Sequence, residues 1–225
     1  MIKRLFNKRK VQLTTEEKWV RDQYLSSFNS RIPSKKTLDQ LNYVVLDTET
    51  SGLDIKKDKI LSVAAVKIIK GSISISERME YFIQETNYTP GKDIEVHGIT
   101  RSKSMSGISM RTMMLEFLPF IENAIIVGHH ISFDIKMLDR YVMEYFGIRL
   151  KNKTLDTARI NHRLESGVNE PFKPVGLDEL ALKYQVPLGA RHTAAGDTFI
   201  SAIIFLKMLN RLEKRGVKTY RSLFR

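Results

Sequence analysis

Hydrophobic and polar positions near the N-terminus recur at helical spacing. They predict an amphipathic helix over residues 14–28, with Thr14 or Thr15 as its capping residue. Its apolar stripe contains Trp19, which we expect to pack against the protein because most such stripes dock on their own domain. Residues 32–36, Ile-Pro-Ser-Lys-Lys, then predict a linker.

The pattern changes to strand-like runs after the linker. An apolar run over 42–48 predicts a buried central strand, and 59–69 and 73–83 predict two strands joined by a turn at Gly71-Ser72. From about residue 109, helices flank a strand at 124–127, and the later helices are predicted over 132–146, 156–164, 177–184 and 193–212. This order predicts an α/β domain with a mixed sheet flanked by helices.

Charge is concentrated at the two ends of the chain. The net charge is +12; residues 1–40 and 206–225 each contribute +6, and the stretch between them is neutral. We therefore predict a basic helical extension and linker over 1–40, a main domain over 41–212 and a basic tail over 213–225. Basic ends favour phosphate backbones, with a solubilising face or an anionic membrane contact as alternatives.

Composition limits the cofactors and the compartment. The chain has no cysteine, which excludes disulfides and thiolate metal sites. A bound metal would rest on carboxylates or histidines, which favours Mg²⁺ or Mn²⁺. The basic N-terminus is not followed by a sustained apolar stretch, so we expect no secretory signal and a cytoplasmic protein.

The predicted central strand ends in a pair of acidic residues, Asp47 and Glu49. Residues i and i+2 of a strand project to the same side, so the two carboxylates should lie together. Such a pair is costly unless a cation lies between its members, and a divalent metal is the usual solution. A solvated pair at a strand end is the alternative.

Two further clusters carry candidate chemistry. In the run 127–134, Ser132 is expected to cap a helix whose first turn holds Asp134. In the run 191–197, His192 precedes the last long helix and Asp197 lies about one turn into it, so both can face one cavity. Taken singly, each of these residues also has a purely structural explanation.

The three clusters together resemble the DEDDh group of DnaQ-like exonucleases over about residues 43–209. The order is Asp-x-Glu, Gly-His-x-x-x-Phe-Asp and His-x-x-x-x-Asp, with lesser signatures at 96–100 and 155–159. The resemblance implies a ribonuclease H-like fold and 3′→5′ exonuclease activity at nucleic-acid 3′ ends, releasing nucleoside monophosphates.

The resemblance also implies the role of each site residue. Asp47, Glu49 and Asp197 would bind one of two Mg²⁺ or Mn²⁺ ions, and Asp47 and Asp134 would serve the second. His192 would be the general base that takes a proton from the attacking water. General chemistry agrees with these roles. Two metal ions can generate the nucleophile from water and stabilise the charge on the leaving oxygen, and a histidine has an ordinary pKa near neutrality, as a general base needs.

Substrate contacts follow from the same resemblance. Thr48, Leu53, His97 and His130 are the candidates, Leu53 as an apolar contact to the terminal base, with a buried turn residue as its alternative. His130 stands where the polymerase subunit of the family usually has Asn, and we expect it to hydrogen-bond the backbone. Lys92 replaces an acidic side chain of that subunit. Asp156 is expected to be a structural helix cap.

Three functions remain open on the sequence alone. DNA ends are the leading substrate, an RNase that trims RNA 3′ ends or short oligoribonucleotides is the second, and a non-catalytic end-binding adaptor is the third. No motif senses a 2′-hydroxyl group. A polymerase or sliding-clamp partner is not indicated: residues 220–224 only loosely resemble a clamp-binding peptide, and the basic tail is expected to hold single strands electrostatically.

Overall fold

A computed structural model describes residues 11–86, 88, 97–166, 170–189 and 191–225. Its centre is a five-stranded sheet in the order β3-β2-β1-β4-β5. The strands are β1 Tyr43–Thr50, β2 Ile60–Ile69, β3 Ser72–Phe82, β4 Ile125–Gly128 and β5 Thr154–Asp156. β1, β2 and β3 pair antiparallel, whereas β1, β4 and β5 pair parallel. The predicted mixed sheet and its hairpin are confirmed.

Helices cover both faces of the sheet. They are α1 Thr15–Ser26, α2 Arg101–Met105, α3 Met110–Ile121, α4 Ser132–Phe146, α5 Thr157–Glu165, α6 Leu177–Lys183, α7 Ala194–Lys214 and α8 Tyr220–Leu223. Buried residues of α5, α6 and α7 form one core layer, and those of α1, α3 and α4 form the other. Asp156 caps α5 as predicted, because its carboxylate accepts a hydrogen bond of 2.9 Å from the Ala158 N–H.

The alternation of β1 assigns its side chains to these two layers. Tyr43 and Val45 face the α5–α7 layer, and Val44 and Leu46 face the α1–α4 layer. Because side chains alternate along a strand, Asp47 and Glu49 continue the first face and Thr48 the second. The acidic pair therefore points toward α7, and Thr48 points toward α4.

Helix α1 begins as predicted, and its apolar stripe faces the core except at Trp19. Thr14 and Glu17 form a capping box, and Val20 and Tyr24 are buried with α3 and α4. Trp19 is 61% exposed, so the expectation that it packs was wrong. Its position next to Val20 rotates it about 100° from the buried stripe.

The predicted linker and tail pair with each other instead of standing apart. Thr37 and Thr219 form an antiparallel bridge, and the Tyr220 N–H donates to the Lys36 carbonyl oxygen at 2.8 Å. Leu223 of the tail is buried in the core layer of α7. Helix α1, which lies within the predicted extension, packs against α3 and α4 of the predicted main domain.

Within the described residues, no helix combines the length and the apolar character that crossing a membrane requires. Residues 1–10, on which the expectation about a secretory signal rests, lie outside the described residues, as do Lys92 and Val96.

Candidate active site

Three of the predicted metal ligands come together at the end of β1. Asp47 and Glu49 leave the same face of this strand, and Asp197 enters from the first turn of α7. One carboxylate oxygen of each lies within 4.8 Å of one oxygen of each of the others. The tertiary fold thus joins two sequence motifs that are 148 positions apart.

The start of α7 is held firmly against the sheet. The Thr193 side chain caps the helix by accepting a hydrogen bond of 3.0 Å from the Gly196 N–H. One turn further, the Thr198 hydroxyl donates to the Ala64 carbonyl oxygen of β2 at 3.2 Å. Since Ala64 pairs with Asp47 across the two strands, these contacts fix Asp197 opposite the acidic pair.

Asp134 reaches the site from the opposite layer. Its carboxylate accepts hydrogen bonds from the N–H and the hydroxyl of Thr48, at 3.0 and 2.6 Å. Asp134 lies in the first turn of α4 as predicted, but Ser132 is not the cap: Ile131 occupies the capping position and provides no side-chain hydrogen bond. The carboxylate is positioned by β1, not by a capped helix end.

The close approach of β4 to β1 explains the glycine of this motif. A Cβ atom added to Gly128 would lie 2.8 Å from the Leu46 carbonyl oxygen, far inside normal contact distance. Only glycine allows this approach of the two backbones. The start of α4, and with it Asp134, is thereby brought close to Thr48.

The electrostatics of the acidic group are unfavourable without a cation. Burial, together with the neighbouring carboxylates, raises the pKa of Asp47 well above its usual range. Burial and the charges of Asp197 and Asp134 raise the pKa of Glu49 to about 7. Burial raises the pKa of Asp134 to about 6, although its hydrogen bonds from Thr48 oppose the change.

Arg191 belongs to the site and was missed by the sequence analysis. Its guanidinium forms ion pairs with Asp197 and with Asp178 of α6. Its positive charge opposes the rise in the pKa of Asp47 and Glu49. Its place directly before His192 was the only signal in the sequence, because the contact with Asp178 arises from the tertiary fold.

One histidine in each of the last two acidic motifs has a left-handed backbone. His192 has a φ of 61° and His130 a φ of 53°, and both side chains are exposed. Non-glycine residues rarely adopt this conformation, and such residues cluster at functional sites. His192 is not one of the residues in the close carboxylate group. Its neighbour Arg191 nevertheless contacts Asp197 directly.

The ring of His130 contacts another histidine. Its centroid lies 4.2 Å from that of His129, and among the described residues it makes no hydrogen bond to the backbone. The expected backbone contact was therefore wrong. His129 is partly buried beside Thr157, and burial lowers its pKa to about 4, so this ring is neutral at neutral pH.

A cavity of about 140 Å³ adjoins Glu49. His97 lines it and is buried; its Nδ1 accepts a hydrogen bond of 3.1 Å from the Ile99 N–H. Phe82 and Lys103 also line it, and the Lys103 ammonium lies 5.3 Å from the Phe82 ring centroid. These two residues were not predicted, since neither belongs to a motif.

Leu53 lies in the loop after β1 and is 84% exposed. The alternative of a buried turn residue is therefore excluded. A large apolar side chain this exposed beside an acidic site is available to contact a ligand.

The donor set fits a divalent cation that prefers oxygen. Three carboxylates converge, and Oδ1 of Asp197 is buried with no hydrogen-bond partner in the described part of the chain. A buried carboxylate oxygen left without a partner is costly, and a metal ion would satisfy it. Hard oxygen donors are the ligands that Mg²⁺ and Mn²⁺ prefer.

Sequence comparisons identify the family of the chain. The family model described as "Exonuclease" matches residues 44–205. The DNA polymerase III subunit epsilon of Aquifex aeolicus is 30% identical over 81% of this chain and 88% of its own length. An epsilon-like protein of Rhodobacter capsulatus is 34% identical over 81% of this chain, which spans only 26% of that protein.

Solved structures share the fold at lower identity. Exonuclease X in complex with 5′-overhanging duplex DNA matches 75% of this chain and 91% of its own, with a TM-score of 0.57 and 21% identity. E. coli Exonuclease I in complex with a dT13 oligonucleotide matches 79% and 43%, with a TM-score of 0.63 and 16% identity. The fold is therefore ribonuclease H-like, and the chain belongs to the DnaQ-like exonuclease family.

Proposed function

We propose that the chain is a metal-dependent 3′→5′ exonuclease that removes nucleoside monophosphates from DNA 3′ ends. The observation that carries this proposal is the convergence of Asp47, Glu49 and Asp197, with an unpartnered buried oxygen on Asp197. Membership of an exonuclease family supports the reaction class. An adaptor without activity would not need to keep so unfavourable a carboxylate group.

Mg²⁺ or Mn²⁺ would be held by Asp47, Glu49 and Asp197, and a second ion by Asp47 and Asp134. Two such ions generate a nucleophile from water at neutral pH and stabilise negative charge on the leaving oxygen. Thr48 keeps Asp134 in place through two hydrogen bonds, which holds that carboxylate ready as a ligand.

His192 would accept the proton of the attacking water at its imidazole. Its side chain is exposed, and it is not a member of the group of carboxylates that would bind the metal. A positioned general base contributes about 10²–10⁴-fold to rate. Arg191, adjacent in the chain, would keep part of the negative charge of Asp197 compensated until the ions bind.

The terminal nucleotide would occupy the cavity beside Glu49. His97 and Phe82 would contact it from one side, and Leu53 would press on the base from the other. His130 and Thr48 complete the proposed substrate surface. DNA is favoured because the Aquifex relative is a DNA polymerase III subunit and the two matched exonucleases were solved in complex with DNA.

Digestion of matched DNA and RNA strands tests the proposal. A single strand labelled at its 5′ end, incubated with Mg²⁺, should give a ladder that shortens from the 3′ end. DNA should be degraded faster than RNA of the same sequence. Faster RNA digestion would favour the RNase function, and no digestion of either, with strand binding intact, would favour an adaptor.

A further inference from the structure

The basic segments near the two ends of the chain meet at the end of the sheet opposite the active site. Tyr43 and Ile125 pair at the starts of β1 and β4, whereas the catalytic carboxylates lie at the other end of β1. Helix α7 begins near the carboxylates, and its length from Asp197 to Lys214 is about 25 Å at about 1.5 Å per residue.

The chain's two basic segments are joined at this end of the sheet by backbone hydrogen bonds. Thr37 bridges Thr219, and the Arg221 N–H donates to the Ser34 carbonyl oxygen at 3.0 Å. Lys36 and Arg221 are thereby brought side by side. Charges that are separated by almost the whole sequence form one surface.

A groove lies beside this junction. Its main cavity, of about 270 Å³, is lined by the aromatic rings of Phe28 and Tyr220 and by the cations Arg31, Lys151 and Lys153. A second cavity, of about 190 Å³, shares Arg31 and continues toward Lys36. We call these two cavities together the distal groove.

In the part of the chain that the structure describes, three cations of the distal groove have no acidic partner. Among the described residues, no carboxylate lies within 4.0 Å of the charged groups of Arg31, Lys151 or Lys153. The Lys151 ammonium lies 5.5 Å from the centroid of the Phe28 ring. Arg211, by contrast, is paired with Glu165. The positive charge of these three groove side chains is therefore available to bind an anion from outside the protein.

Two basic residues of α7, just before the basic tail, are engaged within the protein. Lys207 donates to the Tyr184 carbonyl oxygen at 2.7 Å, and Arg211 bonds both Glu165 and the Tyr184 hydroxyl. These two side chains stabilise the packing of α7 against α5 and α6. The expected grip of the tail on a strand does not extend to them.

We propose that the distal groove binds the nucleic-acid strand upstream of the 3′ end held at the active site, with a base against Phe28 and Tyr220 and phosphates on Arg31, Lys151 and Lys153. Aromatic faces combined with a cationic groove are the means by which proteins bind single strands without sequence preference. The proposal rests on the proposed function for the identity of the strand. The groove and the carboxylates lie at opposite ends of β1, so a strand must extend several nucleotides beyond its bound 3′ end to reach the groove.

Strand affinity of charge-reversal variants tests the groove. Binding of a labelled 20-nucleotide single strand is measured on metal-free protein at several salt concentrations, for wild type, Lys153→Glu and Lys153→Gln. Lys153→Glu should weaken binding about ten-fold at low salt, and Lys153→Gln should reduce the log–log salt slope by about 0.7, the loss of one phosphate contact. Lys18→Glu, at the other end of α1, is the matched control and should bind as wild type.

A nucleoside monophosphate distinguishes a strand site from a site for the free product. Mononucleotide affinity should be equal in wild type and Lys153→Glu, because one nucleotide gains little from a groove that follows a backbone. Loss of mononucleotide binding with strand binding retained would overturn the proposal, as would equal strand affinity of Lys153→Glu and Lys18→Glu.

Wild-type cleavage of a trinucleotide with Mg²⁺, measured in parallel, separates this proposal from the proposed function. A trinucleotide is too short to reach the groove. Failure to cleave it would contradict the proposed function, whereas the groove is judged by the strand affinities alone.

Discussion

Replacing Glu49 with glutamine should stabilise the metal-free protein at alkaline pH. Burial and the neighbouring carboxylates raise the pKa of Glu49 from 4.5 to about 7 in the folded protein. The folded state therefore binds more protons than the unfolded state between these values. Ionising Glu49 therefore costs more free energy in the folded protein than in the unfolded chain. This cost to the free energy of unfolding grows as the pH rises through the window and is complete above about pH 7.

The size of the effect follows from the pKa difference. A shift of this size corresponds to about 3 kcal/mol at about 1.4 kcal/mol per pH unit. Glu49 is only half-buried, so solvent screening reduces the expected value to about 1–2 kcal/mol. For a protein of this length that is a rise in Tm of about 3–6 °C.

Thermal melts in chelator at pH 5 and pH 8 measure the difference. Glu49→Gln should melt above wild type at pH 8, and the gap should narrow at pH 5; Glu144→Gln, at an exposed position of α4, is the control. Added Mn²⁺ should reverse the order, because only wild type gains metal-binding free energy, about 2.7 kcal/mol at a hundred-fold excess over Kd. A variant that melts below wild type in chelator at pH 8 would refute the reasoning.

Three further changes test separate parts of the account. His192→Ala should slow cleavage about 10²–10⁴-fold while Mn²⁺ binding by calorimetry persists; loss of both would make His192 a ligand. Thr48→Val removes a hydrogen bond that lowers the pKa of Asp134, so the acidic limb of the pH–activity profile should move to higher pH; an unmoved profile would contradict this role. Tyr24→Ala should cost about 3–5 kcal/mol in urea unfolding, because Tyr24 is 1% exposed and its hydroxyl donates to Asn152 at 2.7 Å; a cost below about 1 kcal/mol would show that α1 is dispensable for stability.

The acidic pair and the sheet could be predicted because their information is local. Alternation along β1 fixes the common face of Asp47 and Glu49, and the β-branched run of β2 fixes its strand character. The helix cap at Asp156 depends on a contact only two residues away. Contacts of this short range depend little on how the rest of the chain packs.

Most of the errors and omissions depend on contacts distant in sequence; the misplaced cap at Ser132 is a local exception. Trp19 fits a broad apolar stripe, but the position of α3 and α4 decides which part of it is buried. Arg191 reaches Asp178 only after α6 packs beside α7. β5 has three residues, too few to show periodicity, and it is recognisable only from its pairing with β4.

The dependence of cleavage on metal through Asp197 tests the central claim most directly. Digestion of a 5′-labelled DNA strand is measured with Mg²⁺ and in chelator, for wild type and Asp197→Asn, alongside Mn²⁺ binding by calorimetry. The account predicts stepwise shortening from the 3′ end by wild type with Mg²⁺ only, and loss of both cleavage and Mn²⁺ affinity in Asp197→Asn with no decrease in Tm. Cleavage by wild type in chelator, or by Asp197→Asn at the wild-type rate, would contradict it.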